Sequence, residues 1–408
     1  MEMRFAVKLA ALAKNKPATM KERYYALDVF RGATVALMIL VNNPGSWSHI
    51  YGPLKHADWH GCTPTDLVFP FFLFAVGNAM AFVMPRLQAA GQTTFWRKVT
   101  KRFILIFLIG LFLNWNPFVE WHEGALVVKK WVSDYNPDKG IRILGVLQRI
   151  ALAYFFAAIL VFYTKPKITF FISCLLLLGY WLLLFAGNPA DPYSLEGFIG
   201  TAWDKAILGV PHMYKGEGVP FDPEGLLSTI PAIVQVVFGY FAGQYIQQKG
   251  KNFEMLAHLL LAGIIMVLAG LVWGTNFPIN KKIWTSSYVL YTTGLALMTI
   301  GVMIYLIEFK SQRGAWSRFF DVFGKNPLFI FVLSGFIPRV LGLLRWVDHT
   351  DADGKPVYTS ALPWFYQNIC APIGNDPRVG SLVYAIITIS FYWLVAWMLD
   401  KRKVYIKV

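Results

Sequence analysis

The sequence predicts an all-α, polytopic membrane helix bundle of about ten transmembrane helices, with both termini in the cytoplasm. Hydrophobic residues make up 56% of the 408 residues and charged residues only 15%. Soluble domains usually have about a quarter of their residues charged, so this chain has too little polar surface for a soluble fold. Apolar runs of membrane-spanning length also recur along the whole chain. We expect a single bundle over 25–400, a cytoplasmic segment over 1–24 and a basic cytoplasmic tail over 401–408.

Each apolar run is long enough to cross a bilayer as one helix, because about 20 residues suffice. The predicted spans are 25–44, 64–85, 100–116, 141–163, 168–187, 225–247, 253–274, 283–307, 325–345 and 379–399. The loops at 115–140, 188–224 and 346–378 are long, and short basic loops alternate with them.

Lysine and arginine are distributed unevenly between the two sets of segments that flank these spans. The set that contains both termini holds more than twice as many of them as the set that contains the long loops. Because basic loops stay in the cytoplasm, the termini are predicted to be cytoplasmic and the long loops to face outward. The net charge of +15 then mainly reflects the basic residues of the cytoplasmic loops, which set the membrane orientation. No nucleic-acid partner is expected.

The three cysteines give no disulfide framework, because their number is odd. Cys62 and Cys370 are both predicted to lie toward the outer side. A bridge between them is left open by the sequence.

Several polar residues fall inside the predicted spans, where ionisable groups are often functional. Asp28 and Arg31 have helical spacing and form either a structural ion pair or an anchor for an anionic ligand. Asn42 and Asn43 end the first span before Pro44 and Gly45. Their amides either bind a substrate or simply end the helix.

The second span begins with a capping-box pattern, in which Thr63 precedes Pro64 and Asp66 follows three positions after Thr63. That pattern explains Asp66 about as well as a catalytic role does. Pro70 predicts a kink, and Asn78 lies deeper in the same span.

The fourth and ninth spans carry arginines at membrane depth. Arg142, Gln148 and Arg149 belong to the fourth span, and Arg339 belongs to the ninth. Arg149 is expected about two turns inside the helix and facing the interior. These side chains either pair internally for packing or contact a ligand.

The first outer loop holds two histidines, His56 and His60, with Asp58 between them. On a helix the two rings would share a face, as metal ligands do. No general-base Glu follows and no second ligand group is evident, so no metal is expected. The other two interpretations are a plain interfacial loop and acid–base or nucleophilic catalysis, with a carboxylate orienting an imidazole.

These motifs resemble heparan-α-glucosaminide N-acetyltransferase and its bacterial relatives, in the transmembrane acyltransferase superfamily. The segments that carry the resemblance are LDVFRG at 27–32, VNN at 41–43, KHADWHGCTPTDLVFP at 55–70, GVLQR at 145–149, FDPEGLLSTI at 221–230, PINKKIWTSSYV at 278–289 and, more weakly, GKNP at 324–327. The resemblance therefore covers nearly the whole chain.

The resemblance implies a membrane N-acetyltransferase that moves acetyl from cytoplasmic acetyl-CoA to the amine of a glucosamine-type sugar on the other side. The family's active histidine falls on His56. His60 departs from the lysosomal member, which has Asn there. The acceptor is left open among free glucosamine, a glucosamine-ended oligosaccharide and an envelope sugar. A bacterial member would lie in the inner membrane, with the lipid bilayer and a second copy of the chain as further partners.

We expect His56 to act as general base or as transient acetyl carrier, with its tautomer fixed by Asp66 or Asp58. Asn42 or Asn43 would donate to the oxyanion. The residues expected to contact acetyl-CoA are Arg31, Asn78, Arg86, Lys98, Lys101, Arg102, Gln148 and Arg149. The residues expected to contact the acceptor are Asp58, Trp59, His60, Trp115, Asp222, Glu224 and Asn280. Each Trp is also explained by an interfacial aromatic belt.

Three other functions share some of these features. A secondary transporter of amino sugars has similar spans, kinks and buried charges, although no internal sequence repeat is evident. An O-acyltransferase of an envelope polysaccharide uses related chemistry. A non-catalytic membrane scaffold needs none of the polar residues.

Overall fold

A computed structural model describes residues 24–406, so the expectations for residues 1–23 and for the last two residues of the basic tail lie outside the described residues. The described part is mainly helical. Its α-helices are α1 Tyr25–Asn42, α2 Val68–Ala89, α3 Gln92–Trp115, α4 Val146–Tyr163, α5 Pro166–Gly187, α6 Gly200–Leu208, α7 Thr229–Lys249, α8 Phe253–Gly274, α9 Ser286–Ile304, α10 Ala315–Lys325, α11 Pro327–Leu341, α12 Ala361–Phe365 and α13 Pro377–Lys401.

Within residues 24–406, eight helices are long and apolar enough to cross a membrane. They are α1, α2, α4, α5, α7, α8, α9 and α13. The predicted all-α polytopic membrane bundle is therefore confirmed. The predicted third span corresponds to α3, which is not one of the eight and has four cations in its first half, Arg97, Lys98, Lys101 and Arg102.

The predicted ninth span is a broken helix. α10 and α11 meet at Asn326 with a bend of 79°. The Asn326 amide donates to the carbonyl of Val404 at 3.0 Å and accepts from the N–H of Ile406 at 2.8 Å. The chain that follows α13 is thus bound to the break between the two half-helices.

The fourth span begins later than the sequence predicts. α4 starts at Val146 rather than at 141, because tertiary contacts hold 142–144 outside the helix. The side-chain amide of Asn114 donates to the carbonyls of Arg142 and Leu144, at 2.9 and 3.3 Å. Arg142 therefore precedes the helix, and Arg149 lies in its first turn rather than two turns inside it.

The kink predicted at Pro70 is also wrong. Pro70 lies in the first turn of α2, and the helix runs unbroken from Val68 to Ala89. The N–H groups of a first turn have no partner inside the helix, so a proline there removes no helical hydrogen bond.

Two short antiparallel hairpins, which the sequence did not predict, lie in the long loops. Their strands are β1 Val119–His122 with β2 Ala125–Val128 and β3 Arg345–Thr350 with β4 Pro356–Ser360. The guanidinium of Arg345 lies 3.9 Å from the ring centre of Trp121 and 4.2 Å from that of Tyr358. This stacking joins the two hairpins.

The central helices pack at glycines. A Cβ atom on Gly77 of α2 would lie 1.9 Å from the Val236 carbonyl oxygen of α7, and one on Gly239 of α7 would lie 2.1 Å from the Phe74 carbonyl oxygen of α2. Such contacts let helix backbones approach closely in a membrane bundle.

The alternating helices divide the polar loops between two ends of the bundle. The loops that hold His56, Arg142 and Lys281 gather at one end, which we call the His56 end. The turns after α2, α4 and α7 lie at the other end, where Trp96 donates to the Tyr163 hydroxyl at 2.9 Å and Tyr245 hydrogen-bonds with His258 at 2.6 Å. We call this the basic end, because Arg86, Lys165, Lys249 and Lys401 lie there.

Candidate active site

Asp66 organises the loop that carries His56. Its Oδ2 accepts from the N–H groups of Thr63 and Ala57, both at 3.0 Å, and from the Thr63 hydroxyl at 3.1 Å. This confirms the predicted capping box. Its Oδ1 lies 2.6 Å from Nδ1 of His56. The capping role and the contact with His56 therefore coexist, because each uses a different oxygen of the same carboxylate.

The imidazole of His56 is held at its Nδ1 side. Asp66 is 1% exposed and His56 is 36% exposed, so a buried carboxylate fixes a ring that solvent can reach. We assign the ring proton to Nδ1, since an ionised carboxylate can only accept. Nε2 is then left with a lone pair that is available for proton transfer or nucleophilic attack.

Lys281 completes the cluster and was missed by the sequence analysis, which quoted it in a motif but gave it no role. Its Nζ lies 3.0 Å from Nδ1 of His56, 3.5 Å from Nε2 and 3.4 Å from Oδ1 of Asp66. Burial lowers the pKa of Lys281, against the attraction of Asp66 and Glu224. The only sequence signal is a pair of lysines in an outer loop.

A hydrogen bond from α9 fixes this cluster to the bundle. The Tyr288 hydroxyl donates to the backbone carbonyl of Asp66 at 2.6 Å, and both side chains are buried. The position of the carboxylate thus depends on a residue far away in the sequence.

His56 opens onto a cavity of about 370 Å³. Its polar lining residues include Asn42, His56, Trp59, Thr65, Asp66, Arg142, Tyr214, Glu217, Glu224, Lys281 and Lys282. Apolar side chains such as Met38, Phe72 and Phe331 line the rest. A mixture of apolar walls and a few convergent polar groups is typical of a small-molecule site.

Arg142 holds two acids together beside this cavity. It donates to Asp222 at 2.5 and 3.1 Å and to Glu224 at 2.5 Å. Burial disfavours the guanidinium charge, but Glu224 and Asp222 outweigh that cost and raise the pKa of Arg142. Asp222 is buried and does not line the cavity, whereas Glu224 does. Asp222 therefore positions Arg142, and only Glu224 is placed to contact an acceptor.

Arg149 supports the segment that follows Glu224, and it does so outside the cavity. Its guanidinium donates to the Ser228 hydroxyl and, at 3.3 Å, to the Gly225 carbonyl. It is completely buried and does not line the cavity. In the structure Arg149 thus braces the turn after Glu224, and the expected contact with the acetyl-CoA arm is not supported.

A second cavity, of about 310 Å³, lies toward the basic end between α1 and α2. Arg31 and Asp28 line it as an ion pair at 2.9 Å, and Arg31 also donates to the Gly324 carbonyl at 2.9 Å from Nε. Asn78 lines it too; this residue is 4% exposed and its side-chain N–H group has no partner within the described chain. No lining residue is shared with the His56 cavity, so the continuous passage expected from the sequence is not open.

The other residues expected to contact acetyl-CoA lie outside both cavities. Arg86, Lys98 and Lys101 are exposed at the basic end. Arg102 is half-buried, with its guanidinium 4.6 Å from the ring centre of Tyr154. Gln148 is buried beside a third cavity of about 230 Å³ that borders the His56 cavity.

Asn42 and Asn43 have different environments. Asn42 is exposed and lines the His56 cavity. The Asn43 amide donates to the carbonyl of Ile39 at 2.8 Å, as a helix-ending side chain does, and Asn43 lines the third cavity instead. Of the two expected oxyanion donors, the structure brings only Asn42 to the cavity that His56 faces.

Of the residues expected to bind the acceptor, Trp59 and Glu224 line the cavity. Asp58 is exposed and pairs with Lys55 at 2.8 Å, so it does not orient His56. Asn280 is buried and accepts from the Ile283 N–H at 3.1 Å.

His60 and Trp115 also lie away from the cavity. His60 is 3.4 Å from the amide of Asn280, on the outside of the loop. Trp115 donates to the Lys129 carbonyl at 2.9 Å, next to the first hairpin. In the structure, local hydrogen bonds direct these two side chains away from the cavity.

Neither a metal centre nor a disulfide is found among residues 24–406. No three His, Cys, Asp or Glu side chains come close enough to hold a metal ion. His56 and His60 lie in an irregular loop rather than on one helix face. Cys62 and Cys370 are both free, so the bridge left open by the sequence is absent. Burial raises the pKa of the Cys62 thiol to about 12, which makes it a poor nucleophile near neutral pH.

Two curated proteins align with almost the entire chain. The chain is similar to heparan-alpha-glucosaminide N-acetyltransferases. It is 27% identical over 443 residues to the Homo sapiens protein and 27% identical over 440 residues to the Mus musculus protein. The alignments cover 95% of this chain and 60% of each relative, so the chain spans about three-fifths of the length of these N-acetyltransferases. No family model matches the chain. The resemblance inferred from the sequence motifs is confirmed.

Proposed function

We propose that this chain is a transmembrane N-acetyltransferase that moves acetyl from acetyl-CoA to the amine of a glucosamine-type sugar. The observation that carries the proposal is the Asp66–His56 pair, 2.6 Å apart, beside a cavity with a mixed apolar and polar lining. Similarity to glucosaminide N-acetyltransferases supports the same activity.

His56 serves as the base in this proposal. A protonated amine cannot attack a thioester, so Nε2 of His56 first takes a proton from the sugar ammonium. The neutral amine then attacks the thioester carbonyl, the C–N bond forms, the C–S bond breaks, and coenzyme A leaves as the thiol with one proton. Asp66 keeps the accepting nitrogen on the substrate side and stabilises the imidazolium as it forms.

A second route uses His56 as a transient acetyl carrier. Nε2 attacks the thioester, the C–S bond breaks, and coenzyme A leaves as a thiolate that takes a proton from the sugar ammonium. The neutral amine then takes the acetyl group from the ring and releases its second proton to solvent. In both routes the carbonyl oxygen becomes an oxyanion. Lys281 lies 3.0 Å from His56 and Asn42 lines the same cavity, and we assign both as donors to that charge.

Acetyl-CoA reaches this site from the basic end, which we place in the cytoplasm on the count of Lys and Arg. Lys98, Lys101 and Arg86 supply positive charge for the phosphates, and Arg31 and Asn78 line the inner cavity. The two cavities lie along the same pair of helices, α1 and α2. Passage of the acyl arm therefore requires α1 and α2 to part between them.

The acceptor binds from the opposite side of the membrane. Trp59 offers a ring for stacking on a sugar face, with its indole N–H held by the Tyr193 carbonyl at 2.8 Å. Glu224 accepts from hydroxyl groups or from the ammonium. We propose the inner membrane of a bacterium as the location, with the long loops facing outward.

The test is release of coenzyme A thiol by the purified protein when acetyl-CoA and glucosamine are supplied. His56→Ala should abolish release. His49→Ala is the matched control, because His49 is an exposed histidine of the same loop whose ring contacts Ser46, and it should keep wild-type activity. Thiol release that survives in His56→Ala would overturn the proposal.

The product and the intermediate separate the remaining alternatives. Mass spectrometry of the product distinguishes an acetylated amine from an acetylated hydroxyl, which would indicate an O-acyltransferase. Uptake of labelled glucosamine into liposomes that survives His56→Ala, without thiol release, would indicate a transporter. A labelled acetyl group trapped on His56 without acceptor supports the carrier route, and its absence in a single turnover supports the direct route.

A further inference from the structure

The largest described cavity in the bundle is a groove of about 890 Å³ that lies away from His56. Its walls are α5 and α8, and its floor is formed by α7 and α9. Side chains such as Phe170, Leu178, Phe241, Leu259 and Met266 line it. All four helices are apolar enough to cross a membrane, so hydrocarbon rather than water surrounds this groove.

The interior of the groove offers no free polar group from its floor. Two hydroxyls line the floor: that of Tyr245, which contacts His258 at the basic end, and that of Thr293, which accepts from the Gln235 amide at 2.9 Å. A water-filled groove would leave a large apolar surface exposed, which is unfavourable. A hydrocarbon chain is therefore the occupant that suits the lining.

Polar side chains line the groove where it reaches the basic end of the bundle. Lys167, Tyr245 and His258 lie there, with the Tyr245 hydroxyl 2.6 Å from Nδ1 of His258. Among residues 24–406, Lys167 has no carboxylate partner within ion-pair distance. An unpaired ammonium at the edge of an apolar groove is complementary to a phosphate at the membrane surface.

The length of the groove also suits an acyl chain. Its lining on α8 extends from His258 near the basic end to Trp273 at the other end. At 1.5 Å per residue that distance is about 22 Å. One leaflet of the hydrocarbon core is about 15 Å thick, so an extended acyl chain fits within the groove while its headgroup stays at Lys167.

We propose that this groove is a binding site for an anionic glycerophospholipid of the leaflet at the basic end. One acyl chain lies between α5 and α8, and the phosphate contacts Lys167. The lipid would stabilise the fold, because a ligand that binds only the folded state raises the free energy of unfolding.

The experiment is native mass spectrometry of the full chain, titrated with phosphatidylglycerol or with phosphatidylcholine. Wild-type protein should retain one phosphatidylglycerol about tenfold more tightly than phosphatidylcholine. Lys167→Gln should remove that preference, because its charge selects the headgroup. Lys165→Gln removes a neighbouring exposed lysine that does not line the groove, and it should leave the preference unchanged.

Filling the groove tests the acyl-chain part of the proposal. Ala262 lines the groove, and Ala257 is exposed on the same helix outside it. Ala262→Trp should weaken phosphatidylglycerol binding at least tenfold and abolish the rise in melting temperature that this lipid causes, whereas Ala257→Trp should keep both. Equal retention of the two lipids by wild type, or full retention by Ala262→Trp, would overturn the proposal. Loss of a dimer in Ala262→Trp would also overturn it and would assign the groove to a second copy of the chain.

Discussion

Nζ of Lys281 lies 3.0 Å from Nδ1 of His56, although the two residues are 225 positions apart in the sequence. Nδ1 cannot both donate to Asp66 and accept from Lys281. The 2.6 Å contact with the carboxylate takes the ring proton, so Lys281 acts on His56 through its charge. Oδ1 of Asp66 also lies 3.4 Å from Nζ of Lys281, so the two side chains share one carboxylate oxygen.

Lys281→Met should lower kcat by about 10²–10³-fold, because it removes one of the two proposed donors to the oxyanion. The measurement is kcat for acetyl transfer at saturating acetyl-CoA. Lys282→Met is the control, because Lys282 pairs with Glu217 at 2.6 Å rather than with His56. Near-normal kcat in Lys281→Met would contradict the proposed role of Lys281.

Asp66→Asn should lower kcat by about 10²–10⁴-fold, since an amide neither fixes the same tautomer nor stabilises an imidazolium. It also weakens the bonds from the Thr63 and Ala57 N–H groups, so we expect a loss of about 1–3 kcal/mol in stability. Activity is to be compared at a temperature where circular dichroism shows both proteins folded. Asp353→Asn, at an exposed turn residue, should change neither quantity. Near-normal kcat in Asp66→Asn would exclude the proposed role.

Gly77→Ala should lower the thermal stability, because the new methyl group would lie 1.9 Å from the Val236 carbonyl oxygen. Overpacking of this kind costs about 1–3 kcal/mol. Gly179→Ala is the matched control: no atom lies within 4 Å of the Cβ that it would add, so its melting temperature should stay the same or rise slightly. Equal melting temperatures for the two variants in detergent would contradict close packing of α2 and α7.

The free energy of unfolding should depend on pH, because the pKa of Asp204 differs between the folded and unfolded chain. Burial raises the pKa of Asp204 from 3.8 to about 6, although the Leu226 N–H donates to it. A raised carboxyl pKa means that the fold favours the neutral form, so this stabilisation is complete below about pH 4 and is lost as the pH rises through 6. Wild type should lose up to about 3 kcal/mol across that interval relative to Asp204→Asn, which keeps the acceptor for Leu226. Thermal unfolding of both proteins from pH 4 to 8 measures this; parallel curves would refute it.

The membrane bundle could be predicted from the sequence because each span carries its own signal, an apolar run of about 20 residues. The Asp66 cap was predictable for a similar reason, since Thr63, Pro64 and Asp66 are neighbours in the chain. The start of α4 was not, because the Asn114 amide, from another helix, holds 142–144 outside the helix.

The candidate site was predictable only in part. His56 and Asp66 are ten residues apart in one loop, and both were proposed. Lys281 reaches them by tertiary folding alone, so no spacing rule could have indicated it. Trp115 and Asn280 were expected in the site on residue type, but the direction of a side chain depends on hydrogen bonds to distant carbonyls and N–H groups, which a sequence does not reveal.

Two hydrogen bonds join the Asn326 side chain to the chain that follows α13. Ile406 lies beside the bend between α10 and α11, because its N–H donates to the Asn326 side chain. Asn326 directly precedes α11, whose residues Leu328 and Phe331 line the His56 cavity. The contact between Asn326 and Ile406 therefore connects the basic end of the bundle to a wall of the His56 cavity.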